Sequence, residues 1–226
     1  MKKAARAGRS AVPKRTAPAP APAAKRRRAA APDREETILV LQGGGALGAY
    51  QAGVYECLAA MGHAPEWIAG ISIGAINAAL IAGNPPGRCV DRLREFWETV
   101  SSFPFDAPIY GAPTHAPGGR DIVNETNATI AMLFGVSGFF SPRVPAAPFQ
   151  PPGTAAAISY YDTEPLRRTL ERLVDFDRLN SGAVHLSVGA VNVRSGNFVY
   201  FDTRHQRLDP RHIMASGALP PGFPPI

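Results

Sequence analysis

Two glycine-marked turns, each directly after a short apolar run, constrain the fold of this chain more than any other feature. The first turn spans residues 43–48 (Gly-Gly-Gly-Ala-Leu-Gly) and the second spans residues 70–74 (Gly-Ile-Ser-Ile-Gly). An unbroken apolar run that ends at a turn is typical of a buried strand, and helical spacing of apolar residues follows the first turn. The pattern therefore predicts a β-turn-α-β-turn-α unit at the start of an α/β domain.

The later pattern extends this unit to a three-layer α/β/α domain with a mixed, mainly parallel sheet. A hairpin signal at Arg194-Ser195-Gly196 joins the last two predicted strands. The predicted elements are strands at 36–42, 67–71, 185–193 and 197–202, and helices at 46–61, 73–82, 91–100 and from 165 onward. In the first helix the predicted apolar positions are Leu47, Tyr50, Val54, Cys57, Leu58 and Met61. Cys57 and Cys89 lack metal-ligand spacing, so both are predicted to be small buried side chains.

Two segments interrupt the regular pattern. Residues 102–157 are rich in proline, glycine and phenylalanine, which predicts an irregular, lid-like insertion. Residues 213–226 also show no periodicity. We expect one domain at 36–226, incomplete at its C-terminal end, after an N-terminal tail.

The tail, residues 1–35, is built mainly of alanine, proline, lysine and arginine and is predicted to be disordered. Its first 32 residues hold ten of the 24 basic residues and none of the 18 acidic residues, so the net charge of +6 arises in the tail. Such a tail suits an anionic membrane surface. Nucleic acid is the weaker alternative, because no aromatic residue is interleaved for stacking on bases.

The sequence shows neither a signal peptide nor a transmembrane span. The Ala-Pro repeats of the tail are broken by basic residues and provide no apolar core for a signal. The apolar stretch at 68–82 is too short for a bilayer and contains Ser72 and Asn77. These observations predict a cytoplasmic protein that is free to associate peripherally with a membrane.

The two glycine turns supply the two halves of a serine acyl-transfer site. Ser72 lies on a sharp strand-to-helix bend, which exposes its hydroxyl as a nucleophile. The first turn offers backbone N–H groups to a developing oxyanion. The candidate residues are the nucleophile Ser72, the flanking Gly70, Ile71, Ile73 and Gly74, and the oxyanion-hole residues Gly43, Gly44, Gly45, Ala46 and Gly48.

A dinucleotide site is the weaker alternative for the first turn. Gly43-x-Gly45-x-x-Gly48 matches the glycine fingerprint of such sites. However, a ribose-binding carboxylate should close the second strand, and that position is occupied by Ile71 and Ser72. The first turn also lacks the Gly-Lys-Ser/Thr of a phosphate loop.

With both turns in place, the chain resembles the patatin-like phospholipase family over residues 38–226. The marks of that family are a Gly-Gly-Gly-x-x-Gly oxyanion loop on the first strand and Gly-x-Ser-x-Gly on the next. Residues 215–220 (Ala-Ser-Gly-Ala-Leu-Pro) and 223–225 (Phe-Pro-Pro) are similar to the stretch before the family's catalytic aspartate. The resemblance implies hydrolysis of lipid acyl esters by a Ser-Asp dyad, with no metal or organic cofactor.

The chain departs from the family pattern at two places. Leu47 stands where many members have a basic residue. The family's aspartate lies in Asp-Gly-Gly or Asp-Gly-Ala, and neither tripeptide occurs in this sequence. We therefore expect either a fragment that lacks the catalytic aspartate or an inactive relative.

No other residue takes the place of that base. Asp202 and Asp209 lie nearest in sequence and are predicted to be a hairpin-end and a turn residue. The five histidines occur outside any catalytic signature and are predicted to be surface or core residues: His63, His115, His185, His205 and His212. A second hypothesis is a catalytically inactive lipid- or membrane-binding module, held by the tail and by apolar groups such as Phe139 and Phe140.

Overall fold

The structure is a computed structural model that describes residues 36–102 and 119–226, with side chains from residue 125 onward in the second range. The predicted tail, residues 103–118 of the predicted insertion, and His115 lie outside the described residues. The strands are β1 Ile38–Leu41, β2 Trp67–Ile71, β3 Ser141–Pro142, β4 Tyr161–Asp162, β5 His185–Val191 and β6 Phe198–Asp202. The helices are α1 Gly48–Ala60, α2 Ile73–Ala82, α3 Pro86–Ser101, α4 Gly119–Phe134, α5 Glu164–Leu173, α6 Phe176–Leu179 and α7 Pro210–Gly217.

Four strands form the main sheet, in the order β1-β2-β5-β6. β1, β2 and β5 are parallel, and β6 returns antiparallel to β5 through the predicted hairpin. The mixed, mainly parallel sheet of an α/β domain is therefore confirmed. Parallel pairing brings the carboxyl ends of β1 and β2 together, because Leu41 pairs with Gly70.

The core lies on one face of this sheet. All ten residues of α2 are buried, and α2 packs on β1, β2 and β5. α7 packs on β5 beside it. The opposite face carries exposed apolar side chains at Ile38, Val40, Ile71, Val191, Phe198 and Tyr200. Among the described residues the helices thus cover one face, and the second helical layer remains a prediction.

The predicted buried face of α1 is wrong. Tyr55 and Gly48 are buried, whereas Leu47, Tyr50 and Met61 are exposed. Gly48 lies against Ile73 and Trp97, so the absence of a side chain lets α1 approach its neighbours there. The periodicity predicted the helix correctly but not its buried face, because small residues rather than large ones make this contact. For the same reason Cys57 is exposed, contrary to prediction, while Cys89 is buried as predicted.

Three helices differ from the sequence-based expectation. α3 begins at Pro86 instead of residue 91, because proline is favoured in the first turn of a helix. α4 lies within the segment expected to be irregular. α7 overlaps the first residues of the aperiodic stretch at 213–226, and its start is marked by Asp209, whose side chain accepts a hydrogen bond from the Arg211 N–H.

None of the helices in the described ranges is both long and apolar enough to cross a bilayer.

Candidate active site

Ser72 occupies a strained turn between β2 and α2. Its φ of 56° and ψ of −124° make it the one non-glycine residue with positive φ among the described residues. Such conformations cost about 1–3 kcal/mol and persist only where the surroundings enforce them. Ser72 precedes the first residue of α2, so its side chain lies beside the positive end of that helix.

Two glycines allow the turn to be this tight. A Cβ on Gly70 would lie 2.5 Å from the carbonyl oxygen of Gly74, and a Cβ on Gly74 would lie 2.2 Å from the carbonyl oxygen of Leu41. The backbone of α2 therefore rests directly on β1 and β2. This close approach fixes the position of Ser72 relative to the loop that follows β1.

The loop after β1 lies beside Ser72. A Cβ on Gly43 would be 3.3 Å from the Cβ of Ser72. Gly44 has φ of 150° and Gly45 has φ of 55°, which are conformations that glycine adopts readily. A 3-10 turn at Gly45–Leu47 then leads into α1. Among the described residues, none accepts a hydrogen bond from the N–H groups of residues 43–46, as is usual where a helix begins.

A polar bridge centred on the buried Asn77 side chain holds this loop to α2. The Asn77 side-chain amide donates to the carbonyl oxygen of Gly48 at 2.9 Å and to Gln51 Oε1 at 3.0 Å. Gln51 Nε2 donates in turn to the carbonyl oxygen of Gln42 at 2.8 Å. Trp97 Nε1 donates to Asn77 Oδ1. Both ends of the glycine loop are thereby tied to the helix that follows Ser72.

An apolar cavity of about 340 Å³ opens at Ser72. Gly45 and Ala46 form its edge on the loop side, and Trp97 lies in its wall. Phe140 and Phe223 also line the cavity, with ring centroids 5.2 Å apart. The cavity is at the lower end of the size range of small-ligand sites, and its lining suits a hydrocarbon chain.

None of the described residues that line the cavity carries a carboxylate or an imidazole. Asp209 caps α7, and the hydrogen bond from Arg211 lowers its pKa. Asp202 accepts hydrogen bonds from His185 and Ser187, which pair with Trp67 and Ala69 before the Ser72 turn. Both aspartates are therefore engaged away from Ser72.

The comparison with family models adds an independent finding. The model of patatin-like phospholipases matches residues 39–226. This chain belongs to the patatin-like phospholipase family. The matched residues include both glycine turns and the described residues that line the cavity.

Two other comparisons add less. The comparison with curated proteins returned no match. Among solved structures, the chain is similar to VipD from Legionella pneumophila, with 15% identity and a TM-score of 0.40. That alignment covers 84% of this chain and 43% of the VipD chain, so the chain spans less than half of VipD.

In this patatin-like chain the predicted site residues lie together. Gly43–Ala46, Ser72 and the flanking Gly70 and Gly74 meet at the carboxyl ends of β1 and β2. Gly48 differs from the other predicted loop residues, because it is buried in the start of α1 against Ile73 and Trp97. Four residues that surround this site were not predicted from the sequence to belong to it: Gln51, Asn77, Trp97 and Ser216. An asparagine in an apolar helix, five residues after the serine, was a sequence signal for a buried polar contact. Its partners could not be predicted, because they are distant in sequence.

Proposed function

We propose that this chain is a lipid acyl hydrolase in which Ser72 is the nucleophile and the glycine loop binds the oxyanion. The observation that carries the proposal is the position of Ser72, between N–H groups at residues 43–46 and an apolar cavity. A hydrolase of acyl lipids needs these three parts within a few ångström of one another. Membership of the patatin-like phospholipase family supports the substrate class.

The proposed chemistry is acyl transfer in two steps. Ser72 Oγ bonds to the ester carbonyl carbon while its proton passes to a general base, and the carbonyl oxygen becomes an oxyanion beside the loop N–H groups. Collapse of this tetrahedral intermediate releases the lipid alcohol, which takes up the proton from the base. An acyl ester remains on Ser72. Water then attacks this ester, one of its protons returns to Ser72 Oγ through the base, and the fatty acid is released. The cavity holds the acyl chain throughout, so its apolar wall favours long hydrocarbon substrates over short polar ones.

Covalent labelling tests the nucleophile. A fluorophosphonate probe should modify the 226-residue chain at Ser72, with the site located by mass spectrometry. Ser72→Ala should remove the label, whereas Ser181→Ala, which removes an exposed hydroxyl bonded to its own segment, should retain it. Labelling at another serine, or equal labelling of Ser72→Ala, would contradict the proposal.

An inactive lipid-binding module is the second candidate. The observation that favours it is the absence of a carboxylate or imidazole among the described residues that line the cavity. A serine hydroxyl without a positioned base is a weak nucleophile at neutral pH. On this alternative a folded chain resists the probe but still binds a fluorescent fatty acid in the cavity, which distinguishes the two candidates.

The same proposal includes contact with a lipid surface, which is made by exposed apolar residues of the insertion. Residues 132–160 contain one charged residue, Arg143, and no acidic residue. Val144 is 92% exposed and Phe149 is 79% exposed. Phe139 and Phe140, which the sequence suggested as membrane anchors, are instead half-buried and line the cavity.

The exposed part of the insertion is continuous with the cavity wall. The backbone N–H of Tyr160 donates to the carbonyl oxygen of Pro221, close to Phe223. The Tyr161 ring packs on Phe140, and its hydroxyl donates to the carbonyl oxygen of Met132 at the end of α4. The Arg143 N–H donates to the Tyr160 carbonyl oxygen, so a bilayer in contact with the neighbouring Val144 would lie beside the cavity.

Vesicle binding tests this contact. We expect Val144→Gln with Phe149→Gln to weaken partition into phosphatidylcholine vesicles about tenfold, because each side chain loses apolar burial. Met61→Gln is the matched control, since Met61 is exposed and apolar but lies at the far end of α1. High salt removes the contribution of the basic tail. Equal partition of all three proteins would eliminate the insertion as the contact surface.

A further inference from the structure

The backbone of Ser72 is held by one side chain from a distant part of the chain. The Ser72 N–H donates to Ser216 Oγ at 2.7 Å. The Ser216 hydroxyl donates in turn to the carbonyl oxygen of Gly189 in β5. Ser216 thus connects the turn after β2 to the neighbouring strand, at the position where Ile71 pairs with Gly189.

The placement of Ser216 is itself well supported. It lies in the last turn of α7, whose Ile213 and Met214 are buried in the core. The first turn of α7 is capped by Asp209, with Pro210 in the favoured position. The same last turn approaches the nucleophile, because a Cβ on Gly217 would lie 3.9 Å from Ser72 Oγ. A rigid helix end therefore presents the Ser216 hydroxyl to Ser72.

We infer that Ser216 is a positioning residue that keeps Ser72 in its strained backbone conformation. This inference rests on the proposed role of Ser72 as nucleophile. A positive φ at serine is unfavourable without external contacts, and the bond to Ser216 supplies one that exists only in this conformation. The bond also occupies the Ser72 N–H, so this group is not a donor for the oxyanion.

Amide hydrogen exchange tests the bond without requiring any activity. In the 226-residue chain the Ser72 amide should exchange far more slowly than an exposed amide. Ser216→Thr and Ser216→Val form a matched pair, because both add a methyl group and only threonine keeps the hydroxyl. We expect exchange at Ser72 to be about tenfold faster in Ser216→Val than in Ser216→Thr, with Leu186 and Val188 in β5 unchanged.

Labelling kinetics test the consequence for the nucleophile. With the fluorophosphonate, the maximal rate of modification should fall about tenfold in Ser216→Val, while the probe concentration for half-maximal rate stays the same. Ser216→Thr should restore the rate, which a general loss of stability would not reproduce.

The outcomes separate the two proposals. If the wild-type chain is not labelled, the proposed function fails, and exchange at Ser72 still decides the role of Ser216. Fast exchange of the Ser72 amide in the wild-type chain would overturn the inference even if every Ser216 variant failed to fold. Equal behaviour of Ser216→Thr and Ser216→Val, or faster exchange throughout β5, would overturn it as well.

Discussion

Two serines beside the same pair of strands, Ser72 in the turn after β2 and Ser187 in β5 opposite Ala69, show what distinguishes a candidate nucleophile from a structural hydroxyl. Ser187 has the side chains of a catalytic triad around it: its Oγ donates to Asp202 at 2.7 Å, and His185 Nε2 also lies 2.7 Å from the same carboxylate oxygen. Ser187 also accepts a hydrogen bond from Trp67 Nε1. Its hydroxyl is fully occupied and it sits in a regular strand, 5% exposed.

Ser72 has the opposite properties. Its backbone is strained, its surroundings supply donors for an anion, and it opens onto a cavity. In the Ser187 cluster the hydroxyl donates to Asp202 Oδ2 at 2.7 Å, whereas His185 Nε2 lies 3.4 Å from Ser187 Oγ, so the aspartate rather than the imidazole is the closer acceptor of the serine hydrogen bond. Residue types alone therefore do not mark a candidate acyl-transfer site, and it is the strained backbone and the unoccupied donors that set Ser72 apart.

The largest expected effect separates the two serines directly. Ser72→Ala should reduce the rate of fluorophosphonate labelling by about 10⁴-fold or more, because the nucleophile is lost. Ser187→Ala should leave labelling at Ser72 unchanged and lower the free energy of unfolding by about 1–3 kcal/mol, because Asp202 and Trp67 each lose a buried partner. Labelling kinetics measure the first effect, and urea unfolding measures the second. Loss of labelling in a folded Ser187→Ala protein would break the comparison.

The next prediction concerns the backbone contact that sets the Ser72 turn. Gly74→Ala should destabilise the protein by about 3 kcal/mol or prevent folding, because the new Cβ would lie 2.2 Å from the Leu41 carbonyl oxygen. Gly87→Ala is the control, since a Cβ there meets no atom within 4 Å in α3. That variant should be neutral or gain up to about 1 kcal/mol. Thermal and urea unfolding of the two variants test the difference.

The Ser187 cluster should contribute a pH-dependent stability. Burial alone would raise the pKa of Asp202, but hydrogen bonds from Ser187, the Arg204 N–H and His185 lower it to about 2. A carboxyl whose pKa is lowered on folding stabilises the protein above its unfolded pKa near 4, and this contribution disappears as the pH falls toward 2.

Asp202→Asn should therefore cost about 2 kcal/mol at neutral pH, and the difference from wild type should shrink between about pH 4 and pH 2. Urea unfolding across this range measures it. A difference that stays constant with pH would show that the carboxylate charge is not the stabilising group.

The smallest expected effect tests one bond in the Ser187 cluster. Trp67→Phe keeps an aromatic ring against His185, whose centroid lies 4.7 Å from that of Trp67, but removes the bond from Nε1 to Ser187. We expect a loss of about 1 kcal/mol in unfolding free energy. Labelling at Ser72 should not change, and a fall in its rate would indicate that the Ser187 cluster and the Ser72 turn are coupled.

The sequence predicted the parts of the site that depend on backbone geometry. Glycine is required where a helix backbone rests directly on a strand backbone. The spacing of Gly70 and Gly74 around Ser72 therefore predicted the tight turn from the sequence. The mixed sheet followed in the same way from apolar runs and a hairpin signal. These features are local, and each is encoded within a few residues.

The features that sequence reasoning missed depend on distant partners. Ser216 lies 144 residues from Ser72, and Asn77 meets Gly48, Gln51 and Trp97 only after α1, α2 and α3 have packed. The face of α1 was wrong for the same reason, because Gly48 and not the larger Leu47 fits against Trp97. The start of α7 was marked locally by Asp209 and Pro210, but its short apolar pattern was too weak to indicate a helix.

The positions of the tryptophans give each of the two regions its own optical reporter. The chain has two tryptophans: Trp97 in the cavity wall and Trp67 in the Ser187 cluster. Replacing Trp67 by phenylalanine leaves Trp97 as the single indole emitter. Arrival of an acyl chain in the cavity would then shift the emission of that indole, so occupancy could be followed in real time on an unlabelled protein.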